Sequence, residues 1–242
     1  MVKTDSKQNK AFTALLKKAL SAYKGDAEPD AMDPIAQLVI SFLLWNTTQK
    51  QAELAYDKIL AQVVDLNELR VSHPHEIVAM IGVRYPNADA RVRRMLESMM
   101  EVFAREHDFR MTSVKSKGKR EQREYLDSLP AIPPFVAARV ALLSFGAHAM
   151  PVDDKLADQL INQGIFEPGT SPAEIESWMI RQFKAGTALE AHLALQAWSD
   201  QTGSTKRSSS TKKKTSKKTS KKTTKKKTAK KKTTKKRVAK KK

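Results

Sequence analysis

The chain has 242 residues and a formal net charge of +19 but no cysteine, which excludes disulfides, thiolate metal sites and four-cysteine iron-sulfur clusters. The charge sits at one end: residues 205–242 contain 21 of the 45 Lys and Arg and none of the 26 Asp and Glu, so residues 1–204 are close to neutral. The polar start MVKTDSKQNK lacks the apolar core of a signal peptide, and the longest strongly apolar stretch, Ile35 to Trp45, is too short to span a bilayer. A soluble intracellular protein with no membrane partner is expected.

Residues 1–204 read as nearly all helix, because apolar side chains recur every three or four positions and no alternating strand pattern appears. Phe12, Leu15, Leu16, Ala19, Leu20 and Tyr23 form the first stripe. Asp33-Pro34 opens the next helix as a cap followed by a first-turn proline, with Ile35, Leu38, Val39, Phe42 and Leu43 on its apolar face. Asn46-Thr47-Thr48 breaks that helix from one carrying Leu54, Ile59 and Leu60. Ser72 and Pro74 open a short helix over Glu76 to Ile81, which Gly82 ends. A longer amphipathic helix, Ala90 to Phe103, presents Val92, Met95, Leu96, Met99 and Phe103.

The basic stretch Lys115 to Arg123 leads into a helix ending near Leu126. Leu129-Pro130 and a tight apolar turn then precede a helix from about Pro134 to Phe145, stopped by Gly146, and the chain continues to Pro151-Val152-Asp153. Asp153 or Asp154 suits the cap of a helix beginning near Lys155. Ser171-Pro-Ala-Glu174 is a capping box, and a final helix runs to about Trp198. From Thr205 onward two or three Lys alternate with Thr, Ser or Ala, a composition that predicts a disordered tail able to bind phosphates without a folded site. Lys212, Lys213, Lys214, Lys225, Lys226 and Lys227 are its densest candidates. His73, His75, His107, His148 and His192 show no metal-ligand spacing, so no metal or other cofactor is expected.

The order Leu129-Pro130, helix, Phe145-Gly146, Val152-Asp153 resembles the helix-hairpin-helix DNA glycosylases, the superfamily of endonuclease III and the adenine glycosylases. The resemblance spans roughly residues 30–200 and implies an all-α, two-lobed fold. Residues 1–30 would be an N-terminal segment with its helix, residues 31–204 the glycosylase-like domain, and residues 205–242 the Lys-rich tail, similar to the tails of linker-histone-like proteins. It also implies a catalytic aspartate at Asp153, which would stabilise the cationic sugar as the base leaves and orient water. Asp33 to Gln49 is similar to the family's opening helix and polar turn, with Asn46 at the position that fills the gap left by an extruded base and Thr48 on the family threonine.

Three departures matter. The family's two hairpin glycines fall on Ala131 and Pro133, and Pro133 and Pro134 have no amide hydrogen, so Ala131 and Ile132 remain as the turn's phosphate-facing donors. The lysine that bifunctional members use for Schiff-base strand cleavage is replaced by Phe135, which cannot do that chemistry. The iron-sulfur cluster of many relatives has no ligands here. The expected function is hydrolytic removal of a damaged or mispaired base without strong lyase activity; the alternative is a catalytically inactive DNA-binding or chromosome-organising protein. The expected partner is double-stranded DNA, held by the hairpin and tail in a nucleoid or nucleus. RNA is a third reading, resting on the tail alone.

Overall fold

The computed structural model describes residues 2–23, 33–107 and 109–210, with side chains from Lys7 to Thr202. The tail lysines named above lie outside the described residues. Those described form twelve α-helices and two 3₁₀ turns, with no strand. In chain order the helices are α1 (Val2–Ala22), α2 (Pro34–Leu44), α3 (Gln49–Leu60), α4 (Leu66–Val71), α5 (Pro74–Ile81) and α6 (Ala88–Glu106). There follow α7 (Thr112–Lys115), α8 (Lys119–Asp127), α9 (Pro134–Phe145), α10 (Asp154–Asn162), α11 (Pro172–Met179) and α12 (Ala188–Ser210).

Two cores make two lobes. The first draws on α2 to α9, with Ile35, Leu38, Phe42, Met95, Met99, Val136 and Val140 among its fully enclosed side chains. The second unites Phe12 and Ala19 of α1 with Leu156, Leu160, Ile175, Met179 and Leu195 from α10, α11 and α12. There Phe12 meets Trp178 edge to face at 5.2 Å, and Trp178 meets Phe166 at the same distance, an arrangement favoured by the ring quadrupoles. Every residue of α2 is buried, so this helix is apolar all round and serves as the axis of the first lobe, packed lengthwise on α9.

Local chemistry explains the boundaries. Asp33 accepts the Ile35 amide at 3.3 Å ahead of Pro34, and Thr48 and Gln51 form a reciprocal capping box at the start of α3. α9 ends as predicted at Gly146, whose φ of 59° lets the Ala147 amide return to the Ala141 carbonyl at 2.9 Å. Ser171 and Glu174 close their capping box on α11.

Four expectations are corrected. His73, rather than Ser72, stands at the N-cap of α5; Ser72 instead ends α4, a helix the periodicity did not reveal. The buried face of α3 is Ala52, Ala55 and Ile59, while Leu54 and Leu60 turn outward at 52% and 45% exposure. Phe103 is at the surface, stacked under the Arg70 guanidinium at 3.9 Å. α12 continues past Trp198 to Ser210, because backbone hydrogen bonding carries the helix beyond its last apolar side chain.

Candidate active site

The hairpin between α8 and α9 is held from behind by one face of α6. Ser98 donates to the Pro130 carbonyl at 2.8 Å, Arg94 Nε donates to the Ala131 carbonyl at 2.8 Å, and Arg105 donates to Ser128 Oγ at 2.7 Å. The carbonyls of Pro130 and Ala131 are thus drawn toward α6. Ala131 has φ 58°, the left-handed conformation that glycine adopts without penalty. The hairpin therefore keeps the backbone shape of a glycine turn while carrying a methyl group at that point. Ala131→Gly is expected to stabilise the protein by about 0.5–1 kcal/mol, the left-handed penalty less the entropy glycine adds to the unfolded chain. A thermal melt should rise by about 1–4 °C; an unchanged or lower midpoint would show that Ala131 carries no strain.

Asp153 is the N-cap of α10, 3% exposed, with both carboxylate oxygens engaged. Oδ1 accepts the Leu156 amide at 2.9 Å, and Oδ2 accepts the Asn46 amide at 2.8 Å across 107 residues of sequence. Asn46 has φ 57°; its Nδ2 donates to Asp154 Oδ2 at 2.9 Å and its Oδ1 accepts the Lys155 amide at 3.4 Å. Burial pushes the Asp153 carboxyl above the ordinary aspartate range, while the Leu156 and Asn46 amides and the charge of Lys155 pull it back. Because its folded pKa is the higher one, stability from this group is complete below the ordinary range. It is lost as pH rises through the raised value.

Lys155 is tied in as well. Its Nζ donates to the Thr47 carbonyl at 2.7 Å and to Asp200 Oδ1. Asp200 Oδ2 accepts the Gln49 amide at 2.7 Å, and its Oδ1 also accepts Gln196 Nε2 at 3.0 Å. The turn 46–49 is thus fastened to α10 and α12 by its own backbone. Thr48 serves as the cap of α3, Phe135 is buried in the first turn of α9, and His148 is exposed.

Arg91 and Trp45 join α6 to the end of α2. Arg91 is 1% exposed and donates to the carbonyls of Phe42, Leu43 and Pro86. Burial lowers its pKa; Tyr85 and Asp153 oppose that shift. Half-buried Trp45 lies near two guanidiniums, Arg94 at 5.0 Å and Arg91 at 5.6 Å from the ring centroid. A path of contacts therefore runs from Ala131 through Arg94, Trp45 and Arg91 to the carbonyls of Phe42 and Leu43 at the end of α2. Sequence reasoning missed this role of α6, although Arg91, Arg94, Ser98 and Arg105 share one helical face beside its apolar stripe. Among the described residues, no group of His, Asp and Glu side chains could hold a metal ion and no helix is long and apolar enough to cross a membrane.

By sequence the chain matches no family model and no curated protein. By structure it is similar to a Clostridium acetobutylicum 8-oxoguanine glycosylase/lyase bound to double-stranded DNA, with a TM-score of 0.63 and 16% identity over 82% of this chain and 70% of the other. It is similar also to endonuclease III trapped covalently on DNA, with a TM-score of 0.61 and 13% identity over 77% and 84% of the two chains. A thermostable thymine-DNA glycosylase aligns with a TM-score of 0.58 and 18% identity over 81% and 87%. Together with the hairpin, the buried cap at Asp153 and the two helical cores, these matches establish that the protein has the fold of the helix-hairpin-helix DNA glycosylases, in a form without cysteine.

Proposed function

We propose that the protein removes a damaged or mispaired base from double-stranded DNA by hydrolysis of the N-glycosidic bond, with Asp153 as the catalytic carboxylate. The observation that carries this reading is the 2.8 Å hydrogen bond from the Asn46 amide to Asp153 Oδ2. It brings the polar turn suited to filling a vacated base stack against the carboxylate suited to stabilising a cationic sugar. Water is the nucleophile in this scheme. Phe135 cannot form a Schiff base, and Lys155 Nζ is engaged by Thr47 and Asp200, which favours base release without strand cleavage. The Ala131 and Ile132 amides, with Asn46 and Thr48 at the facing turn, would meet the DNA backbone and the gap.

Purified protein on oligonucleotides carrying uracil, oxidised, alkylated or mismatched bases is expected to yield abasic product from at least one. Asp153→Asn should slow that release by about 10²- to 10⁴-fold. The low exposure of Asp153 and the engagement of both its oxygens by backbone amides favour a second reading, a DNA-binding or chromosome-organising protein in which the residue is only a helix cap. DNA binding with no abasic product from any substrate would establish that second reading.

The tail supplies sequence-independent attachment in either case and places the protein at a nucleoid or nucleus. Truncation after Ser210 removes Lys212, Lys213, Lys214, Lys225, Lys226 and Lys227 with the rest of the tail. It is expected to abolish most low-salt binding and to flatten the salt dependence by about 0.9 log units per lost phosphate contact. Low-salt filter binding of the truncated chain equal to that of the full chain would put the affinity in the folded body. Parallel titration with duplex RNA separates the RNA reading, which requires RNA to bind the full chain more tightly than DNA.

A further inference from the structure

One face of α6 carries a row of polar side chains at helical spacing, and each takes hold of a different piece of the chain. Arg105 holds Ser128 at the end of α8, Ser98 the Pro130 carbonyl, Arg94 the Ala131 carbonyl and Arg91 the Phe42 carbonyl. The row covers about 20 Å of helix. It runs from the foot of the hairpin, past its tip, to the end of α2 where the Asn46 turn begins.

Arg94 differs from the rest of the row in being both uncompensated and open to solvent. Arg105 pairs with Glu101 at 2.7 Å, its helix neighbour Arg93 pairs with Asp89 at 2.9 Å, and Arg91 is sealed at 1% exposure. Arg94 is half-buried and meets no carboxylate among the described residues, and its hydrogen bonding to them runs through Nε. The Trp45 ring, its centroid 5.0 Å away, offers a favourable face to the cation but accepts none of its in-plane N–H groups. The outer edge of the guanidinium is left for an acceptor from outside the chain.

The hairpin itself indicates which acceptor. Pro133 and Pro134 bring no N–H to the turn, and Ala131 sets a methyl group at its left-handed position. A DNA strand laid across the hairpin tip and the Asn46 turn passes over Arg94, which stands between them. A guanidinium matches the paired oxygens of a phosphodiester and binds them more strongly than a neutral amide does. Resting on the reading that the hairpin and the Asn46 turn face DNA, we propose that Arg94 is a phosphate clamp, gripping one backbone phosphate in place of the donors that the prolines remove. Its bond to Ala131 and its contact with Trp45 fix the side chain before DNA arrives, so little freedom is lost on binding. Such a contact sets the register of the strand.

The test is methylphosphonate scanning, which neutralises one phosphate at a time, on a short duplex carrying a single tetrahydrofuran abasic analogue to fix the position of the protein. Full-length native protein, Arg94→Gln and Arg94→Lys are compared at moderate salt, where the unregistered contacts of the tail weigh least. With native protein, neutralising one phosphate beside the analogue is expected to weaken binding about tenfold beyond the other positions. Arg94→Gln should bind the unmodified duplex about tenfold less tightly and show no further loss at that phosphate, since its amide can still donate to the Ala131 carbonyl but carries no charge. Arg94→Lys keeps the charge without the fork and should fall between the two. A flat profile with native protein, or an equal loss at that phosphate in the native protein and both variants, overturns the proposal and leaves Arg94 a brace of the hairpin. Each comparison sets modified against unmodified duplex on the same protein, so a less stable variant does not blur it. Base release is read separately: bases released without the phosphate signature keep the glycosylase reading and remove the clamp. The signature without base release keeps the clamp on a protein that only binds DNA.

Discussion

Replacing Arg91 with methionine is expected to destabilise the protein by about 1–3 kcal/mol, mainly the cost of leaving the buried Phe42 carbonyl without a donor. Arg91 reaches the end of α2, where the Asn46 amide that would ordinarily continue the helix is turned to Asp153 instead. The Phe42 carbonyl therefore depends on the guanidinium, as does the Pro86 carbonyl. The Leu43 carbonyl is less exposed to loss, since Tyr85 Oη and Thr47 Oγ1 also donate to it, each at 2.7 Å. Methionine fills part of the volume between Trp45 and Tyr85 but supplies no donor. Urea denaturation should show a lower midpoint at unchanged slope. A loss under about 1 kcal/mol would mean that water enters readily enough to satisfy those carbonyls, and that the site beside Asp153 is wetter than its burial indicates.

Asp200→Ala is expected to cost about 1–3 kcal/mol, because it strips the carboxylate partner from a part-buried lysine and the acceptor from the Gln49 amide. The side chains of Lys155 and Asp200 are 16% and 18% exposed, so neither charge is hydrated as a surface pair would be. The discriminating measurement is a double-mutant cycle with Lys155→Met. Removing both charges should recover much of the loss, since the damage comes from the unpaired ion more than from the missing contact. Additive losses would show that the two side chains act independently and that the turn 46–49 is fixed by Asn46 alone.

The parts of the fold that sequence reasoning found are those written in local chemistry. Asp33-Pro34, Leu129 to Gly146 and Ser171 to Glu174 each carry a start or stop whose cause lies within a few residues, and each appears where expected. Asp153 reads as a cap for the same reason, and the structure makes it one. The family resemblance gave Asn46 and Asp153 separate roles in one site, but nothing local predicts the bond between them across 107 residues. α4 escaped notice because six residues are too few for a periodic signal, although Asp65 caps it through the Glu68 amide at 2.8 Å. Leu54 and Leu60 misled because α3 packs through alanines, which leave room for close approach but no strong apolar mark. Arg139, His192 and Asp200 look like ordinary helix polar residues in sequence. Only the packing of α9 and α12 against their neighbours encloses them.

The two cores also differ in how the chain supplies them. The first is gathered from one unbroken stretch, 35–147, whereas the second joins α1 to residues 150–195. During synthesis the first lobe can close while the later helices are still unmade, but α1 must wait for α12 before its apolar stripe is covered. The bond between Asn46 and Asp153 is among the last to form, since its carboxylate belongs to the late lobe. A chain halted after Gly146 would therefore be a folded body with its hairpin complete and no carboxylate. Newly made protein would hold the hairpin before the Asp153 cap is in place.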